Sequence, residues 1–173
     1  FLGVICDGEE KKICIYDQKN PVSDGEEQTI LLADNLSDEE HELMLFKRQD
    51  ACHVFNFLGF DIECEIGKIE LLRNSSRPKR RIEVYGDSVS AGEVSEAVDF
   101  VGKEDPKWHQ GEFSNSYYSY AWILARKLGA SIHDVAQGGI ALCNDTGWHL
   151  VNDGKKEYYM GMGDAYDKIL YNP

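Results

Sequence analysis

The segment Val84-Tyr85-Gly86-Asp87-Ser88-Val89-Ser90-Ala91-Gly92 carries the residue types that acyl transfer needs. A β-branched run, Ile82 to Val84, feeds a Gly-Asp-Ser turn, and small residues follow. Such a backbone bends sharply and leaves one hydroxyl exposed, so a strand end can present Ser88 as a nucleophile. The spacing is not that of a Gly-x-Ser-x-Gly elbow, because glycine stands two residues before Ser88 and not two residues after it. Gly, Asp and Ser also build plain strand-to-loop turns, and the tripeptide alone does not separate the two readings.

An ester-cleaving serine needs a base, a group that orients the base, and donors for the oxyanion. The Ser88 N–H can be one donor. A glycine N–H in Ala136-Gln137-Gly138-Gly139-Ile140-Ala141 can be the second, since glycine lets backbone come close to substrate. The same glycine pair also suits a simple strand-ending turn. Among the histidines, His109 follows Trp108 and His149 follows Trp148, both in loop-like segments that can line a site. His133, beside Asp134 in a strand-like run, reads as structural, as do His41 and His53. Trp108 and Trp148 are candidates for substrate contact, because an indole face stacks on the apolar face of a sugar ring. Trp122 reads as core. No EF-hand, P-loop or zinc pattern occurs, so no metal, nucleotide or other cofactor is expected.

These residues need elements to position them. Ile82 to Tyr85 reads as a strand, and residues 93–113 as a polar loop. Ser114-Asn115-Ser116 can cap a helix from about Tyr117 to Leu128, closed by Gly129, with Tyr117, Tyr120, Ala121, Leu124, Ala125 and Leu128 as its buried face. Ile132 to Val135 is the next strand. Strand, helix, strand is a βαβ unit with a parallel crossover, and its site lies beyond the carboxyl ends of the strands. Ser88 and Gly138-Gly139 then share one sheet edge. Upstream, residues 1–72 read as short strands: Phe1 to Cys6, Lys12 to Tyr16, Gln28 to Leu32, His41 to Lys47, His53 to Phe60 and the alternating Phe60 to Ile66. Many short strands with turns between them suggest a sandwich or jelly roll. The basic, Pro-containing stretch 73–81 reads as a linker between domains.

At 173 residues, the chain can bury a core in one or two domains. Net charge is −13, of which −11 falls in residues 1–72 and −2 in residues 73–173. Such a balance argues against nucleic acid or an anionic membrane as partner and is compatible with a neutral sugar. There is no apolar run long enough for a membrane span, and Phe1-Leu2-Gly3-Val4-Ile5-Cys6 lacks the basic start of a signal peptide and reads as a strand inside a domain. The five cysteines form no Cys-x-x-Cys pair. Cys14, Cys52 and Cys64, in strand-like segments, are expected to be buried thiols, which leans toward a reducing, cytoplasmic setting over secretion.

Gly86-Asp87-Ser88-Val89-Ser90-Ala91-Gly92 resembles the first sequence block of the SGNH (GDSL-type) hydrolases. The order of that block, then Asn115-Ser116-Tyr117-Tyr118-Ser119-Tyr120-Ala121, then residues 125–130, then Ala136 to Leu142, resembles the family two carbohydrate esterases. His41 to Arg48 and Phe57-Leu58-Gly59-Phe60 resemble strands of that family's first domain, so the likeness spans about residues 29–142. The resemblance implies an incomplete α/β, flavodoxin-like SGNH sheet in residues 82–173, preceded by a β-sandwich jelly roll in residues 1–72. It implies a serine esterase that removes O-acetyl groups from plant-polysaccharide sugars, with Ser88 as nucleophile and Gly139 as second oxyanion donor. Gly138 stands where the family often has serine, so the register can be off by one. The family's Gly-x-Asn-Asp block and its late His segment are missing, so the chain is expected to be a fragment whose base comes from the remainder of the catalytic domain. A carbohydrate-binding protein without catalysis is the alternative.

Overall fold

The structure is a computed structural model; it describes residues 1–15, 25–50, 54–64, 67, 69–72, 78–152 and 154–168. Among them are two sheets of some extent, a small hairpin and three short helices. The first sheet is antiparallel, in the order β2-β1-β3, with β1 at Leu2–Cys6, β2 at Glu9–Ile13 and β3 at Leu43–Lys47. The apolar β1 is central and almost wholly buried, while the charged β2 is an edge strand. Asp7-Gly8 joins β1 to β2 with positive φ at both residues (50° and 86°), the two-residue Asp-Gly hairpin whose twist matches the strands.

The second sheet pairs β4 (Arg80–Gly86) with β5 (Ala130–Ala136) in parallel, from Arg80↔Ala130 to Gly86↔Ala136. Arg80 and Arg81, placed at the end of the linker by the sequence, are therefore strand. On one face lie Ile82, Val84, Ile132 and Asp134. A Cβ on Gly86 would overlap Ser90 Oγ and come within 3.8 Å of Tyr120 Oη, so α1 (Ser88–Ala91) and α2 (Tyr120–Lys127) cover that face. On the other face Val135 packs into a core with Ile140, Val151, Met160, Met162 and Ala165. That core is closed by the β6–β7 hairpin (Leu150–Asn152 and Glu157–Tyr159) and α3 (Met162–Ala165).

The predicted βαβ order stands, and its details differ. Asn115 caps a 3-10 turn over Ser116–Tyr118, and Ser119 then caps α2 by accepting from the Trp122 N–H at 3.3 Å. Only Ala121 and Ala125 of the expected helix face are buried. Tyr120, Leu124 and Leu128 are exposed, although the Tyr120 hydroxyl reaches Ser90. No strand forms at Gln28 to Leu32 or within residues 54–64, where Leu31, Val54, Phe57, Leu58 and Ile62 are exposed; among the described residues no neighbouring strand completes a ladder there. Residues 16–24, His53 and residues 65–66 of the remaining predicted runs lie outside the described residues. Cys14 and Cys64 are exposed, since the strands expected to bury them do not extend to them; Cys52 lies outside the described residues.

The first sheet is fastened to the α/β part in two ways. Phe46 lies over Gly3, where a Cβ would collide with its ring, and stacks at 5.3 Å on Tyr117 and at 6.1 Å beside Trp122. Arg48, just past β3 and 1% exposed, donates from Nε to the Ser114 carbonyl (3.0 Å) and pairs with Glu10 (3.3 Å) and Glu96. Asn115 Nδ2 donates to the same two carboxylates, at 2.9 Å and 2.6 Å. A fully buried guanidinium needs such partners on all sides.

Candidate active site

Ser88 owes its position to two turns. At the end of β4, Asp87 adopts an extended backbone and its carboxylate accepts from the Val89 N–H at 3.0 Å, which starts α1 with Ser88 as first residue. Gly92, at φ 78°, ends α1 in the left-handed conformation; a Cβ there would overlap the Asn115 carbonyl. Ser90, the second serine of the motif, is buried and bonded to Tyr120 Oη at 2.7 Å, which makes it a structural residue. Ser88 is half-buried. Its carbonyl accepts from Glu93 at 2.9 Å, while its hydroxyl and its N–H make no hydrogen bond among the described residues. An N–H at the first helical position has no acceptor inside the helix and is left for one outside it.

The second turn follows β5. The Gln137 N–H donates to the Gly86 carbonyl (3.2 Å), so the loop leaves the sheet beside the strand end that leads to Ser88. The Gly138 N–H donates to Asp50 Oδ2 at 2.8 Å. Gly139 sits at φ 76°, and a Cβ there would come within 3.2 Å of the His149 nitrogen. Its carbonyl accepts from Trp148 (2.6 Å) and His149 (3.0 Å), and its N–H is unengaged among the described residues. Of the two glycines, then, Gly138 has its donor occupied and Gly139 does not.

The tryptophans flank these turns. Trp148 adjoins Gly139 and is 86% exposed; Trp108 is 89% exposed and lines a cleft of about 320 Å³ with Asp50, Ala91, Glu93, His109 and Gly111. His109 accepts from the Gly111 N–H at Nδ1 (3.1 Å) and turns Nε2 toward Glu93 at 4.0 Å. His149 is buried, and burial lowers its pKa against the opposing charge of Asp50, so the ring is neutral near pH 7; its Nε2 is buried without a partner. His133 faces solvent and pairs with Glu83 at 3.3 Å, and His41 bridges Asp7 (2.7 Å) and the Ser37 carbonyl, so both serve the fold. Asp134 lies half-buried on the helix-covered face, and burial pushes its pKa up to about 6. Among the described residues no cluster of three or more His, Cys, Asp or Glu could hold a metal ion, and no helix is long and apolar enough to cross a membrane.

Asp50 and Glu93 were not singled out from the sequence. Asp50 is separated by 88 residues from Gly138 and belongs to the first sheet's exit, so no local spacing links them. The one available signal is the polar triplet Arg48-Gln49-Asp50 directly after an apolar strand.

Residues 1–68 match the family model described as carbohydrate esterase 2 N-terminal. A chain segment is 37% identical over 120 residues to the cellulase/esterase CelE of Acetivibrio thermocellus, covering 69% of this chain and 14% of that protein. This chain is a relative of the family two carbohydrate esterases. A solved family two esterase from Clostridium thermocellum, in complex with cellohexaose, superposes with a TM-score of 0.68 at 28% identity, over 98% of this chain and 45% of that one. A family two enzyme with a carbohydrate-binding domain, from Corynascus thermopiles (Myceliophthora fergusii), shares the fold at a TM-score of 0.57 and 23% identity, over 82% of this chain and 37% of that one. The chain thus spans less than half the length of the family members it matches. Its mixed sheets and few helices follow the family architecture, and its relatives are carbohydrate esterases.

Proposed function

We propose that this chain is part of a serine esterase that removes O-acetyl groups from plant-polysaccharide sugars. In this reading residues 1–72 are the jelly-roll domain, 73–81 the linker, its last two residues opening β4, and 82–173 the start of an SGNH domain. The observation that carries it is that the Ser88 hydroxyl and N–H and the Gly139 N–H, all unbonded among the described residues, follow the adjacent ends of β4 and β5 at one edge of that sheet. Two such donors suit an oxyanion. Ser88 Oγ attacks the acetyl carbonyl carbon and passes its proton to a base from the remainder of the catalytic domain. The carbonyl oxygen takes the negative charge and is held by the Ser88 and Gly139 amides. The bond to the sugar oxygen breaks as that oxygen receives the proton. Water then attacks the acetyl-serine, and acetate leaves. The remainder of the domain also covers Tyr120, Leu124 and Leu128. Trp108 and Trp148, standing free beside the turns, hold the sugar ring.

The exposure of both tryptophans also suits the second reading, a carbohydrate-binding protein without catalysis. Release of acetate from acetylated cello- and xylo-oligosaccharides by the full-length protein and by Ser88→Ala separates them. The first reading expects a loss of at least ~10³-fold on substitution. Equal release by both proteins sinks it, and glycan binding without any release supports the second.

A further inference from the structure

We infer that Asp50, a residue of the first sheet's exit segment, is a positioning residue that aims the Gly139 N–H at the reacting carbonyl. The inference rests on the esterase reading above. Asp50 Oδ2 accepts two donors of the loop after β5: the Gly138 N–H at 2.8 Å and Gln137 Nε2 at 3.1 Å. Gln137 is 2% exposed, so its amide has little water to fall back on. The bond to Gly138 pins the Gln137–Gly138 peptide, and Gln137 Nε2, held by the same carboxylate, also donates to the Gly138 carbonyl at 3.3 Å, which shares its peptide unit with the Gly139 N–H. The Gly139 carbonyl is held from the other side by the Trp148 and His149 N–H groups. With both flanks fixed, the direction of the Gly139 N–H is set before substrate arrives, which is what a preorganised oxyanion donor requires.

The placement of Asp50 is itself constrained. Arg48, two residues earlier, is locked by Ser114, Glu10 and Glu96, and the Gln49 amide reaches the Gln110 carbonyl at 3.5 Å. Three successive residues after β3 therefore grip two loops of the α/β unit, Arg48 and Gln49 the one before α2 and Asp50 the one after β5. A Cβ on Gly138 would lie 2.7 Å from Asp50 Oδ2, so glycine is what lets that carboxylate stand this close. The first sheet thus takes part in catalysis through one side chain, beyond any contact of its own with glycan.

The test is steady-state deacetylation by the full-length protein, with 4-nitrophenyl acetate and an acetylated cello-oligosaccharide as substrates. Asp50→Ala is expected to lower kcat by about 10-fold or more, with KM within about 3-fold, because a misaimed donor acts on the transition state. Asp50→Asn, which keeps an acceptor oxygen, recovers most of the rate. Gly138→Ala displaces the carboxylate from the opposite side and reproduces the loss, and it carries the test where Asp50→Ala does not fold. Tyr118→Phe, which removes the bond between the two parts at Glu10 (2.7 Å) without touching the loop, keeps kcat. An unchanged kcat in folded Asp50→Ala or Gly138→Ala overturns the inference, as does an equal loss in Tyr118→Phe. If Ser88→Ala retains activity in the same assay, the esterase reading falls with it; if only Asp50→Ala is silent, the inference alone falls.

Discussion

Replacing Arg48 by methionine should separate the first sheet from the α/β unit more effectively than any other single change. The guanidinium is 1% exposed and stands between Glu10 and Glu96, whose side chains are 23% and 32% exposed. Methionine fills much of the volume and removes the charge. Two partly buried carboxylates, bridged only by the Asn115 amide, then face each other across the gap. The Ser114 carbonyl also loses its donor. Removing one partner of a buried ion pair costs roughly 3–5 kcal/mol, and the partial exposure of both glutamates places this case near about 3 kcal/mol. At roughly 2–4 °C per kcal/mol for a chain of this size, the unfolding midpoint should fall by about 6–12 °C. The assay is thermal unfolding of the full-length protein at neutral pH, followed by circular dichroism. Adding Glu10→Gln and Glu96→Gln to Arg48→Met should recover at least half of the loss, because the stranded charges are gone. A single variant within about 1 kcal/mol of the parent refutes the reasoning, as does a triple variant no more stable than the single.

Gly92→Ala should destabilise by about 1–3 kcal/mol, since alanine at φ 78° is strained and its Cβ would overlap the Asn115 carbonyl; chemical denaturation reads this directly. Asp134→Asn should stabilise the protein above pH 7 and leave it unchanged near pH 4. The sign follows from a folded pKa of about 6, raised by burial from the ordinary carboxylate value of 3.8: stability contributed by the protonated carboxyl is present below about pH 4 and is lost as pH rises through about 6. A pKa moved from 3.8 to about 6 caps the effect at about 3 kcal/mol, and solvent screening of a half-buried group reduces it to about 1 kcal/mol. Unfolding curves of both proteins across that range check it, and a gap that widens on acidification would contradict it.

What the sequence alone determined is whatever is encoded locally. The β-branched run before Gly86, the Gly86-Asp87-Ser88 turn with its small residues to Gly92, and the helical spacing from about Tyr117 to Leu128 each act within a few residues, and each gave the kind of element its chemistry favours, although α2 starts at Tyr120 behind a Ser119 cap. The order of these pieces also carried the kinship to carbohydrate esterases. Strands that depend on a distant partner were not determined in this way: Gln28 to Leu32 is an apolar run and Phe60 to Cys64 alternates, yet neither has a ladder beside it among the described residues, whereas the three-residue strands β6 and β7 are too short to show a period. Only the tertiary structure decided which glycine keeps an unbonded N–H, because the donor of Gly138 is taken by Asp50 from 88 residues away. It also decided that Arg48, unremarkable in the sequence, is the buried link between the two parts. Hydrogen bonds and ion pairs across such separations depend on how the sheets meet, and that is a property of the folded chain rather than of any stretch of it.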